Sequence, residues 1–209
     1  MSIYIEELNC SSYTHHSYNV TFYDDQIKTV VTQTASIVDQ WIFNIYHDFR
    51  RKLNNLVVGL DVEWRANFHG NIQYKVAVLQ LCVAHRCLIF QFLHADYIPR
   101  SLFEFLNNPN FTFVGVGINA DADKLLSDYG LKVAKTVDLR PLAAKKLKMK
   151  ELNRGGLKSL ARTVLGQELP KPKRVTLSRW DAAYLKPRQI QYACLDAFVS
   201  FKIGRDLMS

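Results

Sequence analysis

The segment LVVGLDVEW, residues 56–64, constrains the fold most strongly, because an apolar run ends abruptly in two carboxylates. A short, branched, uninterrupted apolar stretch reads as a strand buried on both faces. In an extended chain, side chains at i and i+2 leave the same face. Asp61 and Glu63 therefore point together, and their repulsion is relieved when a cation sits between them. A lone D-x-E at a strand end is most often a solvated edge, so its meaning depends on what else in the chain converges on it.

A chain of 209 residues fits one globular domain, or one with a modest extension. Hydrophobic residues at 48% and charged residues at 22% describe a soluble protein with a substantial core. No window approaches the ~18 apolar residues of a membrane span, and MSIYIEELNC lacks the basic start and apolar stretch of a secretory signal. Cys10, Cys82, Cys87 and Cys194 form no C-x-x-C pair, and three of them lie in apolar segments as reduced thiols do. An intracellular location is expected. The net charge of +8 predisposes the chain to polyanions. The charge crowds into two stretches, Lys145 to Lys158 and Lys171 to Arg179, each of which alone reads as a solvated face; flanking an acidic site, they would collect a phosphate backbone.

YNVTFYDDQIKTVVT alternates and reads as a hairpin turning at Asp24-Asp25. The helix that follows places Val38, Ile42, Ile45, Phe49 and Leu53 on one face, with Asp39 near its positive end. After LVVGLDVEW, the polar RANFHGNIQYK reads as a loop, and VAVLQLCV and RCLIFQFL as strands joined at Ala84-His85. IPRSLFEFLNN is a helix, FTFVGVGI a strand, NADADKLLSDYG a helix closed by Gly130, and KTVDL a short strand. LAAKKLKM, LKSLARTVLG and PRQIQYACLDAFVSFKIGRDL complete the chain as helices, the last opened by Pro187. This order predicts a mixed α/β sheet with an antiparallel part, flanked by helices. The expected division is an N-terminal hairpin and helix, 1–54, packed on a core domain, 55–209.

Three further acids repeat the theme of the opening strand. Asp121 and Asp123 follow at once on FVGVGI, where helix capping by Asn119 or Asp121 is the simplest reading. Tyr192 and Asp196 lie one turn apart on the last helix, and Asp196 sits among apolar neighbours, where a carboxylate needs a partner.

D-x-E at a strand end, an acid after a Gly-Val-Gly-Ile strand and Y-x-x-x-D in a C-terminal helix together resemble the DEDDy group of 3′-to-5′ exonucleases, on the ribonuclease H-like (DnaQ-like) fold. The text LDVEW, VAVLQLCV, FVGVGINADADKLL, VDLRPLA, GLKSLARTVLG and SRWDAAYLKPRQIQYACLDAF is most similar to Werner-type exonuclease domains, over roughly residues 55 to 205. The short architecture with an N-terminal hairpin also resembles small plant members, some of which act as exoribonucleases on RNA associated with the silencing complex. Position by position, the resemblance makes Asp61 and Glu63 the first motif, Asp121 the second, and Tyr192 with Asp196 the third. Asp123 falls outside the pattern as a surface residue, and Val62 stands where relatives often carry Thr.

The resemblance implies two Mg²⁺ or Mn²⁺ ions, hard cations that oxygen ligands suit. Held about 3.5–4 Å apart, such a pair stabilises the entering and leaving oxygens of a phosphodiester. Asp61 would bridge both ions, Glu63 and Asp196 would hold the one that activates water, and Asp121 would serve the other. Tyr192, with an ordinary pKa of about 10, would orient the attacking water rather than deprotonate it. Val62, Trp64, Asn119 and Arg179 are the expected substrate contacts: Val62 through its backbone, Trp64 by stacking or else as packing, Asn119 on sugar or phosphate or else as a cap, and Arg179 on the backbone path. The six histidines show no ligand spacing. The expected activity is release of nucleoside monophosphates from single-stranded 3′ ends. RNA and a cytoplasmic setting, with the nucleus also open, follow from the plant likeness; a Werner-type DNA exonuclease is the alternative, and a silent nucleic-acid-binding module the alternative of another class. A silencing-complex protein and a ring-like homohexamer are the further partners that likeness implies.

Overall fold

A computed structural model of the chain describes residues 3–8, 14–66, 70 and 73–209. Cys10, His69 and part of the RANFHGNIQYK loop lie outside the described residues. In chain order the strands are β1 (Ile3–Leu8), β2 (His15–Phe22), β3 (Asp25–Thr32), β4 (Leu56–Glu63), β5 (Val78–Val83), β6 (Arg86–Gln91), β7 (Phe111–Gly115) and β8 (Thr136–Asp138). The helices are α1 (Ala35–Asp48), α2 (Arg100–Leu106), α3 (Ile118–Tyr129), α4 (Leu139–Leu147), α5 (Leu157–Leu160), α6 (Lys173–Thr176) and α7 (Pro187–Met208).

All eight strands form one sheet in the order β1-β2-β3-β6-β5-β4-β7-β8. β4, β5 and β6 make the expected antiparallel meander, while β7 and β8 run parallel beside β4. The N-terminal hairpin is joined to this sheet edge to edge, since β3 hydrogen-bonds in parallel to β6. An outer strand, β1, which the sequence reading did not anticipate, pairs with β2. Its half-polar sequence IYIEEL buries little and so carries a weak apolar signal. The hairpin turns at Tyr23-Asp24 rather than Asp24-Asp25: Phe22 pairs with Asp25, and Tyr23 takes the left-handed conformation with φ 57°.

The two faces of the sheet carry different layers. Val58, Leu60 and Val62 of β4 pack with Val38, Trp41, Ile42 and Ile45 of α1 and with the apolar sides of α2 and α3. The alternate face, which bears Asp61 and Glu63, lies under α7, with α4 and α5 alongside it. α1 ends at Asp48, so Phe49 and Leu53 pack from the turn beyond it. α5 continues into a wider turn over Ala161–Leu165 before Gly166 ends it at φ 65°. Within the basic run at 171–174 begins a single helical turn, α6, over Lys173–Thr176, too short to show an apolar period in the sequence. Cys82, Cys87 and Cys194 are free and buried, as expected of reduced thiols. Among the described residues, no helix is long and apolar enough to cross a membrane.

The contact between β4 and α7 depends on Gly59. A Cβ at that position would lie 1.9 Å from the carbonyl oxygen of Ala197 and 2.8 Å from the backbone nitrogen of Phe201. At Gly204, further along α7, the added Cβ would meet the side chain of the buried Val114, with Cγ2 at 2.7 Å, Cγ1 at 3.0 Å and Cβ at 3.1 Å, rather than backbone. Gly59→Ala must push backbone from backbone, so denaturant unfolding is expected to show a loss of about 3 kcal/mol or more. Gly204→Ala, which presses on one buried valine but gains the better helix propensity of Ala, is expected to cost about 1–2 kcal/mol. Equal losses would show that the β4–α7 approach is not the tight point.

Candidate active site

β4 delivers Asp61 and Glu63 to the α7 face two residues apart, and α7 places Asp196 directly over them. One carboxylate oxygen from each of Asp61, Glu63 and Asp196 lies within 4.8 Å of the others. Asp196 is 2% exposed, whereas Asp61 and Glu63 keep part of their surface open. Asp121 enters from the first turn of α3, at the end of β7. It stands outside the tight trio, yet its charge acts on both Asp61 and Glu63. Asp123 is exposed on the helix surface, as expected.

Four acids at this density resist ionisation. Burial, and then the charges of Asp196 and Asp121, push Asp61 well above the usual carboxylate range. Glu63 is pushed up to about 10 by burial and by the neighbouring Asp61 and Asp196. Asp121 rises to about 7 through burial and the charge of Asp138. Burial raises Asp196 as well, although the Lys171 ammonium, 2.6 Å from its Oδ2, opposes the rise. Burial alone would lower Lys171, but the carboxylates of Asp196 and Asp61 hold it above its ordinary value. One ammonium does not balance four carboxylates. The donor set is all oxygen and short of positive charge, which fits a hard divalent cation.

Tyr192 lies one turn before Asp196 and is 6% exposed. Its hydroxyl accepts a hydrogen bond from Thr176 Oγ1 at 3.2 Å, its ring lies 5.9 Å from that of Trp180, and the Lys171 ammonium stands 5.0 Å from its centroid. Burial and the charge of Asp196 raise its pKa further, so the phenol keeps its proton at neutral pH.

The expected substrate contacts are placed unevenly. Trp64, next in sequence to Glu63, is 38% exposed, with the Lys124 ammonium of α3 5.3 Å from its ring centre. The Val62 side chain is buried on the opposite face, leaving only its backbone near the site. Asn119 does not cap α3: the cap is Gly117, at φ 77°, and Asn119 Oδ1 instead accepts from Thr136 Oγ1 at 2.7 Å. Asp121 does not cap it either, lying within the first turn itself. Arg179 is exposed and grips Asp181 through Nε at 3.3 Å and Nη2 at 3.2 Å. Asp181 also receives Arg65 Nη1 at 3.1 Å, which ties the chain after β4 to the loop before α7.

Two residues near the acids escaped the sequence reading. Lys171 was counted only within a basic run, because nothing local distinguishes it from Lys173. Gln80, inside the apolar VLQLCV, sits directly opposite Asp61 across the β4–β5 ladder. It is fully buried, and neither its Nε2 nor its Oε1 has a hydrogen-bond partner. An amide within an apolar strand was its one visible signal.

Comparison with known proteins bears on this arrangement. A family model described as 3′-5′ exonuclease matches residues 43–209. A 3′-5′ exonuclease of Arabidopsis thaliana is 35% identical over 188 residues, covering 86% of this chain and 64% of the relative. The EXD2 exonuclease domain, crystallised and soaked in Mn and dGMP, superposes with a TM-score of 0.51 at 31% identity, covering 87% of this chain and 89% of that one. Escherichia coli RNase D shares the fold, with a TM-score of 0.70 at 19% identity, over 85% of this chain and 44% of its own. The chain thus spans less than two thirds of the curated Arabidopsis relative, and only 11% of the mouse bifunctional 3′-5′ exonuclease/ATP-dependent helicase WRN, to which it is 36% identical over 152 residues. A family match over residues 43–209, reaching from α1 to the end of the chain, makes this protein a member of the 3′-5′ exonuclease family.

Proposed function

We propose that the chain is a divalent-metal-dependent exonuclease that removes nucleoside monophosphates from the 3′ end of single-stranded RNA. The observation that carries this reading is the meeting of Asp61, Glu63 and Asp196 within 4.8 Å, one helical turn from Tyr192. In this reading Asp61, Glu63, Asp121 and Asp196 hold two Mg²⁺ or Mn²⁺ ions. Bound there, the ions neutralise the acids and supply Lewis-acid stabilisation to the oxygens that gain charge.

The side chains divide the remaining work. The Tyr192 phenol, kept protonated and fixed by Thr176, orients the attacking water. Trp64, open to solvent and next in sequence to Glu63, offers a ring on which the terminal base stacks, and Lys124 lies over that ring. The Val62 backbone and Asn119 flank the terminal nucleotide. Arg179 meets the strand as it leaves the site, with Asp181 fixing its guanidinium plane. Lys171 steadies Asp196 through the 2.6 Å ion pair.

RNA as the substrate, fragments associated with the silencing complex as its source, a cytoplasmic setting and a ring-like hexamer all rest on the likeness to small plant members. Cleavage of DNA is the second reading. It is supported by the Werner-type likeness and by a carboxylate–metal site's indifference to the 2′-hydroxyl. A silent binding module is disfavoured because all four acids are present around one recess.

The test is digestion of 5′-labelled single-stranded RNA and DNA of one sequence with Mg²⁺, by the natural chain and by Asp61→Asn. Stepwise 3′ shortening, faster on RNA, is expected. Loss of a carboxylate that would hold metal, worth ~4 kcal/mol, is expected to slow Asp61→Asn by roughly 10³-fold, with an unchanged circular dichroism spectrum. A strong preference for DNA contradicts the RNA reading, and normal trimming by Asp61→Asn contradicts the site.

A further inference from the structure

An open cavity of about 660 Å³ lies where α6, the following loop and the start of α7 meet. Its charged lining is entirely cationic: Arg174, Arg179, Lys186 and Arg188, beside Tyr184 and the buried amide of Gln189. Arg179 is neutralised by Asp181, but Arg174, Lys186 and Arg188 have no ion pair among the described residues. Tyr184 is 80% exposed, an unusual placement for an aromatic ring with no packing role of its own.

The cavity is tied to the acids through one helix. Arg188, Tyr192 and Asp196 follow at intervals of four on α7, so they run along one side of it. At 1.5 Å per residue, Arg188 stands about 6 Å from Tyr192 and about 12 Å from Asp196 along the axis. Gln189 joins the two walls, donating from Nε2 to Ser178 Oγ at 3.0 Å and to the Arg179 carbonyl at 3.2 Å. The amino end of the 22-residue α7 adds its positive dipole in the same place.

We propose that this cavity binds the phosphodiester backbone of single-stranded nucleic acid upstream of the 3′ end, with Tyr184 stacking on an upstream base. The inference rests on the exonuclease reading and extends it: the terminal nucleotide sits at the acids, and the strand's next phosphates are taken by Arg188, Arg174 and Lys186. Backbone charge and base stacking are the two recognition modes that tolerate any sequence.

The test uses oligo-U of twelve nucleotides and the dinucleotide UpU, with Arg174→Glu/Arg188→Glu and, separately, Tyr184→Ala and Tyr184→Phe. The natural chain is expected to favour the 12-mer in kcat/KM, and the double variant to shrink that preference roughly tenfold, chiefly through KM. Two lost phosphate contacts should also flatten the salt dependence of 12-mer binding by about 1.4 in log–log slope. Tyr184→Ala is expected to raise the 12-mer KM, and Tyr184→Phe to restore it. An unaltered length preference and salt slope would overturn the proposal. If the natural chain cleaves neither substrate, the exonuclease reading has failed, and fluorescence anisotropy of the 12-mer still decides whether the cavity binds it.

A different observation carries a second inference. Gln80 is 0% exposed with both ends of its amide unpartnered, and its Cβ faces that of Asp61 in a directly opposed strand pair, a spacing of about 4.5–5.5 Å. A buried amide without partners destabilises the fold, whereas an apolar side chain of the same volume would not. We infer that Gln80 is a positioning residue: its amide, unpartnered here, donates to the Asp61 carboxylate once that group turns to hold a cation, and then limits its rotation as hydrogen-bonding groups behind metal-binding carboxylates do. Gln80→Met, nearest in shape, and Gln80→Leu are expected to raise the thermal midpoint while weakening Mn²⁺ binding, read by calorimetry, about 10–100-fold. Either variant suffices if the other fails to fold. Unchanged Mn²⁺ affinity in a folded variant overturns the inference. Failure of the natural chain to bind Mn²⁺ would instead overturn the metal site itself.

Discussion

Mutual repulsion among buried carboxylates is the constraint on which this structure depends. Asp61, Glu63 and Asp196 are pressed within 4.8 Å, with Asp121 near enough to add its charge, in a chain whose net charge is +8. Left to themselves these groups would separate or stay protonated, as the elevated pKa values of Glu63 and Asp121 show. What keeps them together is packing. β4 is gripped on one face by the apolar cluster of α1, α2 and α3, and on the other by α7, which comes close because residue 59 has no side chain. The energy of two apolar layers thus holds an unfavourable charge cluster in one place. Such a cluster is ready for a divalent cation.

The positive charge on this side of the molecule differs in what holds it. Lys171 is engaged with Asp196 and lies over Tyr192. Arg65 and Arg179 share Asp181 and fix the chain at the rim. On α6 and at the start of α7 lie Arg174, Lys186 and Arg188, which have no ion pair among the described residues. This difference separates cations that organise the site from those free to meet a polyanion, a distinction that net charge alone does not make. It also explains why the two basic stretches in the sequence are not equivalent. The second wraps the site through α6 and the loop before α7, while the first lies on α4 and the turn after it.

Much of this was legible before any coordinates. Strong apolar runs ending in acids marked β4 and the start of α3, and the four-residue spacing of Tyr192 and Asp196 set both on one side of α7. Those signals survive because burial dictates them directly. What was missed depended on tertiary partners. β1 gains its order from pairing with β2 rather than from an apolar face of its own. Capping of α3 by Gly117 follows from a left-handed backbone that frees Asn119 to reach Thr136 on β8. The hairpin turn moved by one residue because Phe22 had to point into the core beside Phe198. Lys171 and Gln80 gain their meaning only from neighbours far away in the chain, Asp196 and Asp61, so no local pattern singled them out.

Calorimetric titration of Mn²⁺ at several pH values, in buffers of different ionisation heat, probes the carboxylate cluster most directly. Glu63, with a pKa of about 10, and Asp121, at about 7, hold protons near neutrality that a bound cation must displace. The account predicts net proton release on binding at pH 7 and an affinity that rises as the pH is raised from 6 to 8. Binding with no proton released, or an affinity flat or falling across that range, would contradict it.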